Sequence, residues 1–209
     1  MRYEEYLKSI LEPFRDESLI PPEEFPRMEL YLEQAVGFLN EQLRVYAAPE
    51  GDKQPITKSM VSAYAKQRAL PKPTKKRYTR DHATLIAMAH YLRSAFQMGE
   101  IALLLKPFLD NYGSVFEEKY DLHKLYEAMH PMLKEERRAE TDGILKAVEG
   151  IKGVMWEKGV EDDDTLELFA LMLYLAVKAD TAKFAADRLL KEYYAKGKEK
   201  PKKERTKKA

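Results

Sequence analysis

Apolar residues recur at three- and four-residue intervals along most of the chain, the spacing of a helix with one buried face. Met28, Leu32, Ala35, Val36, Leu39, Leu43 and Tyr46 form one such stripe and predict a helix from about Arg27 to Ala47, with Pro26 where a helix can begin. A shorter amphipathic helix, Arg2 to Phe14, precedes it across Pro21, Pro22 and Pro26. The stretch Ala48-Pro49-Glu50-Gly51-Asp52 breaks the pattern and reads as a connector. Thr57 is then placed as the N-cap of a short helix to about Gln67, with Met60, Val61, Tyr64 and Ala65 inward. Two prolines in Leu70-Pro71-Lys72-Pro73 exclude helix, and Lys75-Lys76-Arg77-Tyr78 follows as an extended or tight-turn segment. Thr79 can cap a long helix burying Leu85, Met88, Ala89, Leu92 and Phe96; after a break at Gln97, Ile101, Leu104, Leu105 and Phe108 predict another.

The remaining third is helical by the same criterion. Leu122, Leu125, Tyr126, Met129 and Leu133 make one stripe, and Ile144, Val148 and Ile151 a second, with Gly150, Gly153 and Gly159 loosening the chain around Trp156. Asp164, with Glu167 three residues on, resembles a capping box opening a final helix from Thr165 to about Tyr194. Eleven of the twelve residues from Leu166 to Val177 are apolar, far fewer than the roughly 20 that span a bilayer, so a buried helix is expected there. From Lys196 the sequence KGKEKPKKERTKKA has no apolar residue except Ala209 and is expected to be disordered. The expected class is all-α: residues 1–24 form an N-terminal helix and Pro-rich linker, 25–110 a helix plus a helix-turn-helix domain, 111–194 a C-terminal helical bundle, and 195–209 a lysine-rich tail.

Composition changes this picture little and charge changes it more. With 209 residues, 44% hydrophobic, the chain can bury a core. It has no cysteine, so disulfides, thiolate metal sites and cysteine nucleophiles are excluded. The start, MRYEEYLKSILEPF, mixes acids with apolar residues and does not read as a secretory signal, so a cytoplasmic protein without a membrane anchor is expected. Net charge is +1, yet Lys53 to Arg93 holds ten Lys or Arg against the single acid Asp81, and Lys191 to Ala209 holds nine against three. Those balances of +9 and +6 leave −14 elsewhere. A basic block inside an acidic body points to a localised polyanion-binding surface.

The order of elements within that block suggests which polyanion. Double-stranded DNA is read by a helix in the major groove carrying short polar residues at base edges, with Lys or Arg on phosphates to either side. The helix opened by Thr57 presents Lys58, Ser59, Ser62, Ala63, Lys66 and Gln67 away from its apolar stripe, and the following turn supplies Lys72, Lys75, Lys76, Arg77 and Arg80. The candidate DNA-contacting residues are therefore Lys58, Ser59, Ser62, Lys66, Lys72, Lys75, Lys76, Arg77 and Arg80. Charge runs also occur as plain solvated faces, and an all-helical protein-interaction module whose basic face docks an acidic protein stands as the alternative.

The stretch ITKSMVSAYAKQRALPKPTKKRYTRDHATLIAMAHYLRSAFQMGEIALLL resembles the DNA-binding head of the MerR family of winged-helix regulators. Val61 and Tyr64 fall where that family's recognition helix has its Ile and second Tyr, and Leu70-Pro71 matches its turn. Arg77-Tyr78-Thr79 matches the entry to the next helix, and Glu100-Ile101 with Leu104-Leu105 the closing helix. The resemblance implies a helix-turn-helix fold with a shortened wing and DNA as partner. It also places Ser62 and Ala63 where the family has an Arg and a Tyr that contact DNA, and Arg68 where it has a glycine. A wider likeness, from Phe25 to about Leu190 and including PRMELYLEQAVGFLNEQL, is to an uncharacterised, mainly Gram-positive bacterial family of unknown function. A regulator of this kind would use its C-terminal helices for homodimerisation or sensing.

Other signals are bland. His82 with His90 and His123 with His130 are eight and seven residues apart, so neither pair has the spacing of a two-ligand helical metal site. Glu161-Asp162-Asp163-Asp164 lacks the alternating ligands and central Gly of a calcium loop. Trp156, Tyr126, Met129, Tyr174 and Phe184 are candidates for an effector pocket, though at helical spacing such residues usually form plain core. No nucleophile-base arrangement stands out, so neither catalysis nor a cofactor is expected.

Overall fold

The computed structural model describes residues 2–47, 54–110, 121–160 and 163–195. The connector at 48–52, Lys53, Glu161-Asp162 and the tail from Lys196 lie outside the described residues. The described residues form seven α-helices: α1 (Tyr3–Glu17), α2 (Leu32–Gln42), α3 (Lys58–Lys66), α4 (Arg80–Leu92), α5 (Met98–Asp110), α6 (Leu122–Glu157) and α7 (Asp164–Leu189). Short 3-10 turns at Pro22–Glu24 and Arg44–Tyr46 and a π-helical turn at Leu190–Ala195 complete the described secondary structure. The class is all-α; among the described residues β-pairing is limited to two isolated bridges, Leu30 with Tyr78 and Thr74 with Arg77. No helix among them is long and apolar enough to cross a membrane.

The core centres on α4. Its Ala83, Leu85, Ile86, Ala87 and Ala89 are all buried, as are the polar His82, Thr84 and His90. Sequence periodicity gives α4 a single inward face, but α2, α3 and α6 surround it, so both sides of the helix are covered. Leu39 and Leu43 of the α2 end, Ile56, Val61 and Tyr64 around α3, Ile101 and Leu105 of α5 and Tyr126 of α6 pack into the same cluster. Ile20, in the segment expected to be a linker, is fully buried. Its N–H donates to the Tyr91 hydroxyl (3.0 Å) and its carbonyl accepts from the Tyr126 hydroxyl (2.7 Å). The two tyrosine rings stack at 6.4 Å, and burial pushes the Tyr91 hydroxyl up to about 12.

Several boundaries differ from expectation. The α2 helix starts at Leu32, not near Arg27, because Leu30 exchanges backbone hydrogen bonds with Tyr78 (2.8 Å each way) and the Gln34 side chain accepts from Tyr31 N–H (2.9 Å). Met28 is consequently exposed. The α1 helix runs past Pro13 to Glu17, and buries no residue of its own. It sits on α6 through ion pairs such as Lys152 to Glu4 (2.5 Å) and Arg138 to Asp16 (3.4 Å).

The two stripes expected after residue 122 belong to one continuous helix of 36 residues that carries Pro131, Gly150 and Gly153 inside it. Leu125 is exposed and Tyr126 takes the inward position. Only Gly159 interrupts: with φ +69 it closes α6 by the two hydrogen bonds Val160 N to Met155 O (3.0 Å) and Gly159 N to Trp156 O (3.0 Å). The cap of α7 is Asp163, whose carboxylate accepts from Thr165 and Leu166 N–H (2.8 and 3.1 Å). Glu167 instead accepts from the Tyr3 hydroxyl (2.7 Å), and burial with this carboxylate pushes that hydroxyl far up. The apolar run at 166–177 is not a buried helix: Leu166, Leu168, Phe169, Met172, Leu173 and Val177 are all exposed.

Candidate nucleic-acid interface

Thr57 caps α3 as expected, its hydroxyl accepting from Met60 N–H (3.2 Å). Val61 and Tyr64 are buried, Met60 packs against the core, and Ala65 is exposed where an inward position was expected. The outer face carries Ser59, Ser62 and Lys66, which share one side of the helix at intervals of three and four and are all exposed. The two serine hydroxyls are engaged locally. Ser62 donates to the Lys58 carbonyl (2.9 Å), and Ser59 Oγ lies 2.8 Å from Thr57 Oγ1.

What positions α3 is a residue that periodicity does not reveal. Asn40, on α2, donates from Nδ2 to the Ile56 carbonyl (2.9 Å) and accepts at Oδ1 from Ile56 N–H (2.8 Å). Its amide thus serves as a strand-like partner for the residue just before the Thr57 cap. Arg93, at the end of α4, donates to the Pro55 carbonyl (3.3 Å) and secures the same segment.

The exit from α3 is a strained turn. Ala69 N–H donates to Tyr64 O (2.8 Å) and Arg68 N–H to Ala65 O (3.1 Å), the same closure that Gly159 makes for α6. Here Arg68 occupies the left-handed position, at φ +58, as its alignment with a glycine implied. Lys75 and Lys76 are left-handed as well, at φ +50 and +61, and Arg77 N–H donates to Thr74 O (2.9 Å). Two successive left-handed residues inside a closed four-residue turn make a two-residue hairpin.

Hairpin and helix meet at the start of α2. Arg77 lies over the Tyr31 ring at 3.7 Å, and Lys58 pairs with Glu33 at 2.7 Å, which holds the Glu33 carboxyl below the usual range. Residues two apart on the chain therefore hold one cation from α3 and one from the hairpin. Lys66, Lys72, Lys75 and Lys76 are exposed. Lys72 borders an open groove of about 790 Å3 between the α3 exit and α5, walled by Leu70, Leu103 and Leu109 and rimmed by Arg68 and Lys106.

Arg80 is placed apart from this group. It lines a cavity of about 350 Å3 with Arg27, His123, Glu127 and His130, on the side of α4 that faces α6. The Thr84 hydroxyl donates to the Arg80 carbonyl (3.0 Å) and lies 3.0 Å from Nδ1 of His123, which ties α4 to α6. Among the described residues no group of three or more His, Cys, Asp or Glu is arranged to hold a metal ion. The aromatic set considered for an effector pocket is dispersed: Tyr126 is core, while Trp156, Tyr174 and Phe184 are exposed.

Residues 20–129, more than half of the chain, match the family described as Domain of unknown function (DUF1836). The matched stretch contains α2 to α5, the hairpin and the first turns of α6, and stops short of α7. No curated protein and no solved structure matches the chain.

Proposed function

The chain belongs to the DUF1836 family, and we propose that it is a cytoplasmic DNA-binding regulator that uses α3 and the Lys75-Lys76 hairpin as a helix-turn-helix with a minimal, MerR-like wing. The observation that carries this reading is the hairpin itself. Left-handed backbone disfavours side chains with a Cβ, and two-residue hairpins of this kind favour Asn-Gly or Gly-Gly. Two lysines at these positions give up stability to set two exposed cations at the tip of a turn. Strain of that sort is retained where it serves a site.

The exposed face of α3 supplies short polar groups and Lys66, and the hairpin supplies phosphate-binding charge to one side. The serines at 59 and 62 are both engaged locally, so base reading would come first from Lys66 and Gln67, with Ser59 able to exchange its Thr57 contact for a base edge, and phosphate contacts from Lys58, Lys72, Lys75, Lys76 and Arg77. The action is occupancy or distortion of a promoter, with no bond made or broken.

The salt dependence of duplex binding tests this. Removing one phosphate-binding cation lowers the slope of log K against log salt by about 0.9. The variant Lys66→Gln, Lys75→Gln, Lys76→Gln is expected to bind more weakly at every salt concentration, with the slope reduced by about 2 to 3. An unchanged slope would remove these lysines from the interface. One observation favours a second reading, a protein-docking module: the apolar groove beside Lys72, rimmed by Arg68 and Lys106, suits an acidic peptide with apolar side chains. In that case the triple variant leaves duplex binding weak and unchanged, while Leu103→Glu abolishes peptide binding.

A further inference from the structure

The outward side of α7 carries no charge over three turns. Leu166, Phe169, Leu173 and Val177 follow at intervals of three and four along one stripe, with Leu168 and Met172 beside it, and these six are 43–68% exposed. The charged residues at either end of the run, Glu167 and Lys178, are both turned inward. Glu167 takes the Tyr3 hydroxyl and lies 3.6 Å from Lys152, and Lys178 pairs with Glu140 at 2.6 Å. The local charges are thus engaged on the inner side of the helix.

Side chains of this size, exposed to this degree, present on the order of 700 Å2 of apolar surface. The largest patch on a typical monomer is about 300–600 Å2, whereas a stable dimer of standard size buries about 800 Å2 from each partner. The lysine-rich tail has no apolar side chain beyond alanine with which to cover it. An uncharged, continuous stripe is complementary to itself; it begins after Asp163 and Asp164 and ends at the exposed Asp180.

We propose that a second copy of this chain covers the α7 face, the two α7 helices packing about a two-fold axis near Leu173. In that arrangement Leu173 of each copy meets Leu173 of the other, with Phe169 and Val177 to either side. Both α6–α7 hairpins then form one four-helix assembly, and the region outside the family match becomes the part that pairs two basic heads. The proposal rests on α7 alone and stands whether or not the heads bind DNA.

Sedimentation velocity of the full chain tests it. The expected mass is twice 24.3 kDa at tens of micromolar, and F169E/L173E is expected to sediment at 24.3 kDa, its dissociation constant raised at least about 100-fold. Circular dichroism of that variant should match the unsubstituted protein, since both positions are solvent-facing. Because the chain has no cysteine, L173C gives a second readout that keeps the fold. A short bismaleimide spanning about 8–10 Å, the separation of packed helices, should join two L173C chains and leave W156C, on exposed α6 surface, unjoined. A protein that stays monomeric at about 100 μM, an F169E/L173E variant that still dimerises, or equal cross-linking of L173C and W156C overturns the proposal.

Discussion

Three residues with positive φ other than glycine occur among those described, Arg68, Lys75 and Lys76, and all three are cationic and belong to the α3–hairpin segment. Replacing Lys75 and Lys76 by Asn and Gly supplies the residues that a two-residue hairpin favours and removes two charges. Thermal unfolding of K75N/K76G should report a gain of about 1–2 kcal/mol, while affinity for duplex DNA falls at least about tenfold. Opposite signs in the two measurements would distinguish strain kept for binding from strain without a use. The left-handed Arg68 was legible in the sequence because it stands where a resemblance supplies a glycine. That at Lys75 and Lys76 was legible only as a tight turn, since a Lys-Lys pair carries no turn signature of its own.

Helices whose two faces differ were readable in advance; helices whose faces do not differ were not. The α3 cap at Thr57, the break at Gln97 and the α5 stripe follow directly from spacing and capping chemistry. The all-round burial of α4 and the exposed apolar run of α7 did not, because composition records how apolar a helix is and not what covers it. The start of α2 was misplaced for a related reason: a single backbone bridge from Leu30 to Tyr78 overrides the apolar stripe that Met28 extends. Asn40 was likewise invisible, as its role lies in two hydrogen bonds to a backbone sixteen residues away. Asn40→Ala leaves the N–H and carbonyl of buried Ile56 without their partner and is expected to cost about 1–3 kcal/mol in urea unfolding. It should also weaken duplex binding, since it loosens the segment that leads into the α3 cap. Asn40→Asp restores the acceptor and leaves the donor missing, so it should lie between the two.

At the scale of the molecule the histidines act together. His82, His90 and His123 are buried, and burial holds all three below the ordinary histidine value, His90 down to about 4 with Arg93 adding to the effect. Such groups are neutral in the folded protein and protonate more readily in the unfolded chain. Their contribution is therefore unchanged above about pH 6.5, and stability is lost as pH falls from there toward 4. Urea midpoints measured between pH 7.5 and 4.5 should decline steadily below about 6.5, and His90→Phe should flatten part of that decline. The charge segregation that suggested a polyanion partner is also a whole-molecule property. It was legible from the sequence, but the division of its cations between α3, the hairpin and the α6-facing cleft of Arg80 was not, because chain order does not reveal which side of α4 a residue faces.

The central claim, that α3 and the hairpin read DNA, meets its most direct test in selection from a random duplex library. The protein should enrich a recurrent sequence, and a variant with Lys66, Lys75 and Lys76 changed to Glu should enrich none while retaining its helical circular dichroism. Failure of the unsubstituted protein to enrich any sequence, together with weak binding equal to that of the variant, would contradict the account.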